Sequence, residues 1–329
     1  MNSESEHKID RRQFILRSAK AGASILAAGS ISYWFYDRTG PDRAEQSATA
    51  VQIPDFSMPE LGKRMSIVSG SRRSETLELA LKSIGGIHAF IKKGDRVLLK
   101  VNAAFALPPI LSATTHPDLV AEITRLCFQA GAASVTVTDN PINDPASCFR
   151  LSGIERAARS AGATVVLPQQ ELFKPFSLAN GQLIRNWPVL YEPLRRIDKI
   201  IGAAPVKDHH RSGASMIMKN WYGLLGGRRN IFHQDIHSVI KELAMMIKPT
   251  LVILDGTTTM MRNGPTGGSL SDLKETHTMI VSTDQVAADA FGATLLGKTV
   301  DELAFIKKAE ATGAGTADFQ SLNPVMASI

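Results

Sequence analysis

The sequence holds very little cysteine, and this narrows the chemistry open to it. Its 329 residues include only two cysteines, Cys127 and Cys148. Two thiolates cannot supply the four ligands of a typical iron–sulfur cluster or of a four-cysteine zinc site. Cys127 falls on the apolar face of a predicted helix, where a buried and inert thiol is expected. One disulfide between the two cysteines stays open, because sequence does not test its geometry.

Other features that the sequence lacks exclude further classes of protein. It has no internal repeat, no low-complexity linker and no long basic run with interleaved aromatic residues, so a nucleic-acid partner is not expected. The composition, 44% hydrophobic and 21% charged, is that of a globular protein. Residues 1–50 contain seven Lys/Arg and six Asp/Glu, so they account for only +1 of the net charge of +6. The remaining +5 favours a small anionic ligand or cofactor.

Residues 1–50 have the features of an export leader and linker. The segment Asp10–Leu16 contains the pair Arg11-Arg12, and a mildly apolar stretch rich in Ala, Gly and Ser follows it. This pattern predicts a twin-arginine signal, with the twin-arginine translocase as partner and a periplasmic or extracytoplasmic location. The apolar stretch is short and mild for a membrane span. Cleavage near Ala48-Thr49-Ala50 and retention as an uncleaved membrane anchor both remain open.

The rest of the chain alternates between strand-like and helix-like segments. Short apolar runs such as Arg96–Val101 and Ile197–Ala203 are separated by helical patterns such as Pro117–Ala130 and His233–Ile247. Apolar runs of this kind indicate a mostly parallel sheet that is covered by helices on both faces. We therefore predict a single α/β domain over residues 51–319, followed by a surface tail at 320–329.

Polar side chains follow four of the predicted strands. They are Lys100 with Asn102, Asp139, Lys207 and Asp255. In open parallel sheets, ligands bind beyond the carboxyl ends of the strands. We expect these residues to line one cleft, although Asp139 and Asp255 could equally be turn residues or helix caps.

The stretch 207–237 carries four of the eight histidines of the chain. His233 and His237 are four residues apart, which is the spacing of metal ligands on one helix face. Gln234 stands where the metalloprotease motif has a glutamate, so that motif is excluded. The pair His209-His210 could add a third imidazole to a metal site. An ordinary structural or solvated histidine pair is the alternative.

Basic side chains and glycines in the same region suit an anionic group. Lys219, Arg228 and Arg229 surround Gly226-Gly227, where the backbone could approach a phosphate or carboxylate closely. A second glycine-rich loop, 262–268, includes Asn263 and follows the strand that ends at Asp255. It matches neither the dinucleotide fingerprint nor a Walker loop. It is either a tight turn or a loop that closes over a ligand.

Several motifs together resemble the family called domain of unknown function 362, over about Lys100 to Gly315. They are Thr114-Thr115-His116-Pro117, Thr138-Asp139-Asn140-Pro141, Met218-Lys219-Asn220-Trp221-Tyr222-Gly223, Arg228-Arg229-Asn230, His233-Gln234-Asp235-Ile236-His237, Asn263-Gly264-Pro265-Thr266-Gly267-Gly268 and Thr283-Asp284-Gln285-Val286-Ala287. Many members of that family are described as iron–sulfur proteins through a cysteine-rich, ferredoxin-like segment. This sequence lacks the segment, so the description does not carry over.

The sequence is also faintly similar to the nickel-pincer lactate racemases. The resemblance implies that His116, His209 or His210, and His233 contact a metal-bearing cofactor, with Arg229 beside the phosphate of that cofactor. The spacing of these residues matches only approximately.

These patterns lead to one functional hypothesis and one alternative. The first is an exported metal- or cofactor-dependent enzyme that acts on a small anionic substrate. The alternative is a non-catalytic periplasmic protein that binds an anion or a metal. The candidate catalytic residues are Lys207, His209, His210 and Asp255. The candidate cofactor-binding residues are Lys100, Asn102, Asp139, Lys219, Asn220, Arg228, Arg229 and Asn263. The candidate metal ligands are His116, His209, His233 and His237.

Overall fold

The structure is a computed structural model that describes residues 10–34 and 50–329. The chain divides into two units, Met1–Thr49 and Ala50–Ile329. In the first unit, Arg11 and Arg12 open helix α1 (Arg11–Trp34). Within the described residues, no helix combines the length and the apolar character that crossing a membrane requires. Most of the expected cleavage site, Ala48-Thr49-Ala50, lies outside the described residues.

The second unit is built from alternating strands and helices. Its strands are β1 (Met65–Ser69), β2 (Arg96–Lys100), β3 (Ser134–Thr138), β4 (Thr164–Val166), β5 (Phe173–Phe176), β6 (Trp187–Leu190), β7 (Lys199–His209), β8 (Gly213–Ser215), β9 (Leu251–Met260), β10 (Leu273–Ser282) and β11 (Val325–Ser328). Its helices are α2 (Arg73–Ser83), α3 (Ile87–Phe90), α4 (Pro117–Gln129), α5 (Pro145–Leu151), α6 (Ile154–Ser160), α7 (Ile217–Asn220), α8 (Ile236–Met246), α9 (Gln285–Leu295) and α10 (Ala304–Glu310).

Within residues 50–329, nine of these strands form one mostly parallel sheet. Its order is β11-β1-β10-β9-β7-β2-β3-β4, and β8 pairs with the end of β7. The neighbours β9, β7, β2, β3 and β4 are all parallel, whereas β10 is antiparallel to both of its neighbours. Strands β5 and β6 form a separate hairpin. The expected single α/β fold with a mostly parallel sheet and flanking helices is confirmed.

The continuous apolar runs reflect a sheet that is buried on both faces. Successive side chains of a strand point to opposite faces. In β2, Leu98 belongs to one hydrophobic core, and Val97 and Leu99 belong to the other. The neighbouring strand β7 does the same with Ile200 and Ile201. Both faces therefore need apolar residues, and no polar alternation remains visible in the sequence.

Strand β7 is longer than its apolar run. The run predicted a strand that ends at Ala203, but β7 continues to His209 because its last residues pair with β8. The extension carries β7 past the carboxyl end of its neighbour β2, whose pairing with β7 ends at Gly202. Since the period of a strand is two residues, Lys207 and His209 share one face of it, and Asp208 points to the other.

The amphipathic helix α8 begins later than its apolar pattern indicates. It begins at Ile236, because the carboxylate of Asp235 accepts the backbone N–H of Ser238 and caps the helix. His233 lies before the cap, in a 3₁₀ segment. The expectation that His233 and His237 share a helix face is therefore wrong.

Two strands in the C-terminal part of the chain, β10 and β11, were not predicted from the sequence. Strand β10 was not predicted, since its first residues are polar and exposed. Residues 320–329, expected as a surface tail, are mostly exposed and contain β11, which pairs in parallel with β1 at the edge of the sheet.

The two cysteines are buried and free. Cys127 lies in α4 and is 0% exposed, and burial raises the pKa of its thiol to about 12. Burial likewise raises the pKa of Cys148 to about 11. The expectation that Cys127 is buried is confirmed, and its raised pKa agrees with an unreactive thiol.

Candidate functional site

A pocket of about 360 Å³ opens beyond the carboxyl ends of β2, β3 and β7. Its walls come from the loops after β2 and β3, from the β7–β8 hairpin, and from the segment that begins with α7. The lining residues are Asn102, Ala104, Phe105, Asp139, Asn140, Ile142, Lys207, His209, His210, Arg211, Ser215, Lys219, Asn220, Tyr222, Gly223, Arg229, Asn230, His233 and Pro265. Lys100's neighbours Asn102 and Asp139 and the more distant Lys207 thus lie beyond the strand ends, where the strand-end rule predicts a ligand.

A larger cavity, of about 640 Å³, lies at the opposite edge of the sheet. Its buried carboxylate, Asp284, is already engaged. It accepts the first backbone N–H groups of α9 and forms an ion pair with Lys63 at 2.8 Å. These contacts account for Asp284 as a helix cap, so its carboxylate is not left free to act on a ligand in this cavity.

The floor of the pocket is an ion pair between Lys100 and Asp139. The Lys100 Nζ lies 2.8 Å from Asp139 Oδ1 and also donates to Asn220 O and Oδ1 at 2.7 and 3.0 Å. The other carboxylate oxygen accepts the backbone N–H of Ala103 at 2.7 Å. Burial lowers the pKa of Lys100, and Asp139 opposes that shift. Both charges are therefore satisfied within the protein. The three residues Lys100, Asp139 and Asn220 connect the strand ends to α7, and their polar groups are not left free for a ligand.

Arg229 fastens two loops to each other. Its guanidinium donates to the carbonyl oxygens of Tyr222 and Leu225 at 3.0 and 3.1 Å. It also donates to Asn140 O and Pro141 O at 2.6 and 2.9 Å. Four hydrogen bonds of the guanidinium therefore go to backbone carbonyl oxygens. Arg229 lines the pocket, but its hydrogen bonds make it a structural link rather than the phosphate ligand that was expected.

Two further lysines face the pocket without a carboxylate partner. Lys207 is 1% exposed, and its Nζ donates to Ala113 O and lies 5.2 Å from the centre of the Phe105 ring. The Nζ of Lys219 lies 5.3 Å from the centre of the Tyr222 ring. Over residues 10–34 and 50–329, neither ammonium lies within 4 Å of an acidic side chain.

Burial lowers the pKa of both lysines. Desolvation, with a smaller contribution from Lys219, lowers the pKa of Lys207 to about 7. Desolvation, with a smaller contribution from Arg229, lowers the pKa of Lys219 to about 8. Both groups thus change charge near neutrality, far below the ordinary range of a lysine.

His209 is fixed as a hydrogen-bond donor. Its Nδ1 accepts the backbone N–H groups of Arg211 and Ser212, both at 3.2 Å. The neutral ring must therefore carry its proton on Nε2. Burial, followed by the charge of Lys219, lowers the pKa of His209 to about 2. A metal on Nε2 would force a proton onto Nδ1, against two backbone donors, so His209 is unsuited to be a metal ligand.

His233 has the opposite arrangement of donor and acceptor. Its Nδ1 lies 3.2 Å from the Tyr222 hydroxyl and 3.3 Å from Asn230 O. That hydroxyl donates to Arg229 O. Nδ1 is then the donor to both oxygens, and Nε2 keeps its lone pair. The rings of His209 and His233 are 6.1 Å apart. The pair offers one donor and one acceptor.

The four expected metal ligands do not converge. His116 lies outside the pocket lining, where its Nδ1 caps α4 by accepting the backbone N–H of Asp118. The ring of His237 stacks on Phe305 at 6.1 Å and is not part of the lining. In the part of the chain that the structure describes, no group of three His, Cys, Asp or Glu side chains is placed to hold a metal ion.

Three other candidates also lie apart from the pocket lining. The carboxylate of Asp255 forms an ion pair with Arg73 at 2.7 Å. The amide of Asn263 donates to Asp272 at 2.7 Å. Arg228 is exposed. The glycine-rich loop 262–268 packs against the β7–β8 hairpin and contributes Pro265 to the pocket wall.

Some lining residues carried no assigned role in the sequence. Phe105 and Ser215 belong to no motif, and Tyr222 was part of a motif whose physical purpose was not evident. Asn102, which was expected, is 7% exposed, and its Oδ1 has no hydrogen-bond partner among the described residues. A buried amide oxygen of this kind is suited to accept a hydrogen bond from a ligand.

Comparisons with known proteins agree with the motif resemblance. Residues 97–294 match the family model described as domain of unknown function (DUF362). A thylakoid-associated protein of Synechocystis is 27% identical over 226 residues, which cover 65% of this chain and 67% of that protein.

Two solved structures are similar at low identity. The lactate racemase apoprotein from Thermoanaerobacterium thermosaccharolyticum has a TM-score of 0.40 and 12% identity, over 78% of this chain and 63% of that chain. A protein from Thermotoga maritima has a TM-score of 0.36 and 11% identity, over 73% of this chain and 59% of that chain. The chain thus spans less than two thirds of both solved structures.

Replacing the two buried lysines by methionine separates their roles. Lys100→Met leaves Asp139 as a buried, unpaired charge, so we expect a loss of about 3–5 kcal/mol in the free energy of unfolding. Lys207→Met removes an ammonium that has no carboxylate partner, so we expect no loss or a small gain in stability. Urea unfolding of both variants measures the difference. Equal losses in the two variants would contradict the assignment.

A methyl group at Gly223 should disturb the same ion pair. A Cβ there would lie 1.8 Å from Asp139 Oδ1 and 2.8 Å from Lys100 Nζ. We expect Gly223→Ala to cost about 1–3 kcal/mol of stability, as overpacked cores do. We also expect it to weaken ligand binding, because Asp139 must move. Unchanged urea unfolding in Gly223→Ala would show that the close approach is not needed.

Proposed function

This chain belongs to the family described as domain of unknown function (DUF362), and we propose that it binds and converts a small organic anion in the pocket beyond β2, β3 and β7. One observation carries the proposal. Lys207 and Lys219 bring two ammonium groups to the same pocket, and over the described residues neither has a carboxylate partner.

The cost of burying charge supports an anionic ligand. Removing an ammonium from water costs several kcal/mol unless a partner compensates it. Lys100 has such a partner in Asp139, but Lys207 does not. An anion in the pocket would supply the missing charge. Retaining two uncompensated lysines at one place is typical of a binding site, where stability is given up for function.

The size and polarity of the pocket restrict the ligand. A volume of about 360 Å³ lies near the lower end of the range for small-molecule sites. The donors are the two ammonium groups and the His209 Nε2–H, and the acceptors are Asn102 Oδ1 and His233 Nε2. The pattern fits a small carboxylate or phosphate that also carries a hydroxyl or carbonyl group.

A metal-dependent reaction finds less support in the same residues. His209 has its Nδ1 lone pair engaged by two backbone N–H groups, so its Nε2 carries a proton. A non-catalytic anion-binding protein would use the same lysines. Turnover of a bound anion, as opposed to binding alone, separates these two functions.

We place the protein outside the cytoplasm. The pair Arg11-Arg12 opens α1 and precedes a mildly apolar segment, as in twin-arginine signals. The Synechocystis relative is described as thylakoid-associated, which agrees with a role close to a membrane. The translocase is the partner that this leader requires.

Anion binding should weaken as the pH rises. The pKa values of Lys207 and Lys219 are lowered to about 7 and about 8, so both carry charge below pH 7 and lose it above pH 8. We expect affinity for malonate to be highest near pH 6 and to fall through this window. Calorimetric titrations from pH 6 to 9 measure it. An affinity that is flat or rising with pH would contradict the site.

Single substitutions assign the affinity to these lysines. At pH 6 we expect Lys207→Met and Lys219→Met each to weaken binding by about tenfold or more, which is the usual worth of a charged hydrogen bond. Lys248→Met is the matched control, because Lys248 is exposed and pairs with Asp55. Equal effects of all three variants would indicate only a general loss of positive charge.

Export should depend on the arginine pair. We expect Arg11→Lys combined with Arg12→Lys to retain the protein in the cytoplasm, because the translocase reads the two guanidinium groups. Arg17→Lys, in the same helix, is the control and should leave export unchanged. Cell fractionation followed by immunoblotting measures the distribution. Normal export of the double variant would contradict the proposed location.

A further inference from the structure

Building on the anion site proposed above, we propose that Lys207 is a nucleophile that forms an imine with a small aldehyde or ketone carrying the anionic group. The reacting atom is Lys207 Nζ, and the substrate class is an anionic carbonyl compound.

The position of Lys207 suits a reacting amine. It lies in the extension of β7, where its backbone is held between two neighbouring strands, β8 on one side and β9 on the other. Its Nζ has one hydrogen-bond acceptor, Ala113 O, and the Phe105 ring lies beside it. Lys100, by contrast, directs its Nζ to Asp139, Val101 O and Asn220. Lys207 therefore keeps its lone pair available when it is neutral.

The charge state of Lys207 agrees with this role. With its pKa lowered to about 7, a substantial share of Lys207 is the neutral amine at pH 7. An ordinary lysine, with a pKa near 10.4, is neutral in fewer than about one molecule in a thousand at that pH. Desolvation beside a second cation is a known way to activate an amine. Here Lys219 is that cation.

The bond changes balance without any further reactant. The lone pair of Lys207 Nζ attacks the carbonyl carbon, a C–N bond forms, and the carbonyl electron pair moves to oxygen. The oxygen takes up a proton, and the nitrogen loses one. The carbinolamine then expels water, and a C=N bond joins Lys207 to the substrate carbon. Amine and carbonyl thus become imine and water.

The neighbouring side chains have matching tasks. The Nε2–H of His209 can donate to the oxygen as negative charge develops on it. The Nε2 lone pair of His233 can accept the proton that the nitrogen loses. The ammonium of Lys219, with a pKa of about 8, stays mostly charged at pH 7 and can hold the anionic group.

Reductive trapping tests the proposal on the full-length protein. The probe is glyoxylate with sodium cyanoborohydride at pH 7, and peptide mass spectrometry maps the reduced adduct. We expect initial labelling of Lys207 to exceed that of exposed lysines such as Lys248 by about 100-fold, since far more of its amine is neutral. Propanal, an uncharged aldehyde, should keep the part of that preference that comes from the neutral amine and lose the part that comes from binding of the anionic group at Lys219.

Two variants and one binding measurement make the outcomes decisive. Lys207→Arg keeps the charge and should abolish the pocket adduct. Lys219→Met should reduce labelling by glyoxylate more than labelling by propanal, because only glyoxylate carries a group that Lys219 binds. If malonate still binds while glyoxylate labels Lys207 no faster than Lys248, the nucleophile proposal is overturned and the anion site stands. If malonate does not bind either, the proposed function fails as well.

Discussion

The buried ion pair between Lys100 and Asp139 is the interaction on which the site depends. It joins the carboxyl ends of β2 and β3, and through Asn220 it joins both to α7. Because α7 also carries Lys219, the ion pair positions one wall of the pocket. Such a pair is stable only when every donor and acceptor is satisfied. The close approach of Gly223, which leaves no space for a Cβ beside Asp139, follows from that demand.

Against this satisfied pair, Lys207 stands out as a lysine of the same burial but without a carboxylate partner. Both are essentially inaccessible, at 0% and 1% exposed. The difference lies in their neighbours: Lys100 meets an aspartate across the strand ends, whereas Lys207 meets a carbonyl group and an aromatic ring. One arrangement contributes to the free energy of folding. The arrangement of Lys207 destabilises the fold, because its ammonium is buried without an opposite charge beside it.

The sequence predicted the positions of residues best where they follow directly from the order of strands in a parallel sheet. Strand ends in a parallel sheet meet at one edge, so Lys100, Asp139 and Lys207 could be placed together without coordinates. Asp255 also ends an apolar run, yet it pairs with Arg73, which is 182 residues away in the chain. A partner so distant leaves no local signal. The start of α8 was misplaced for a different reason: the apolar period continued past the cap that Asp235 provides.

In the proposed imine reaction, the same electrostatics would set the orientation of the substrate. An anionic group next to Lys207 would favour its charged form, raise its pKa and remove the lone pair that attacks. The anionic group must therefore lie nearer Lys219, and the carbonyl nearer Lys207 and His209. Burial lowers the pKa of both lysines, to about 7 for Lys207 and to about 8 for Lys219. The proposed reaction uses Lys219 as the cation and Lys207 as the neutral amine, which is the combination that an anionic carbonyl compound requires.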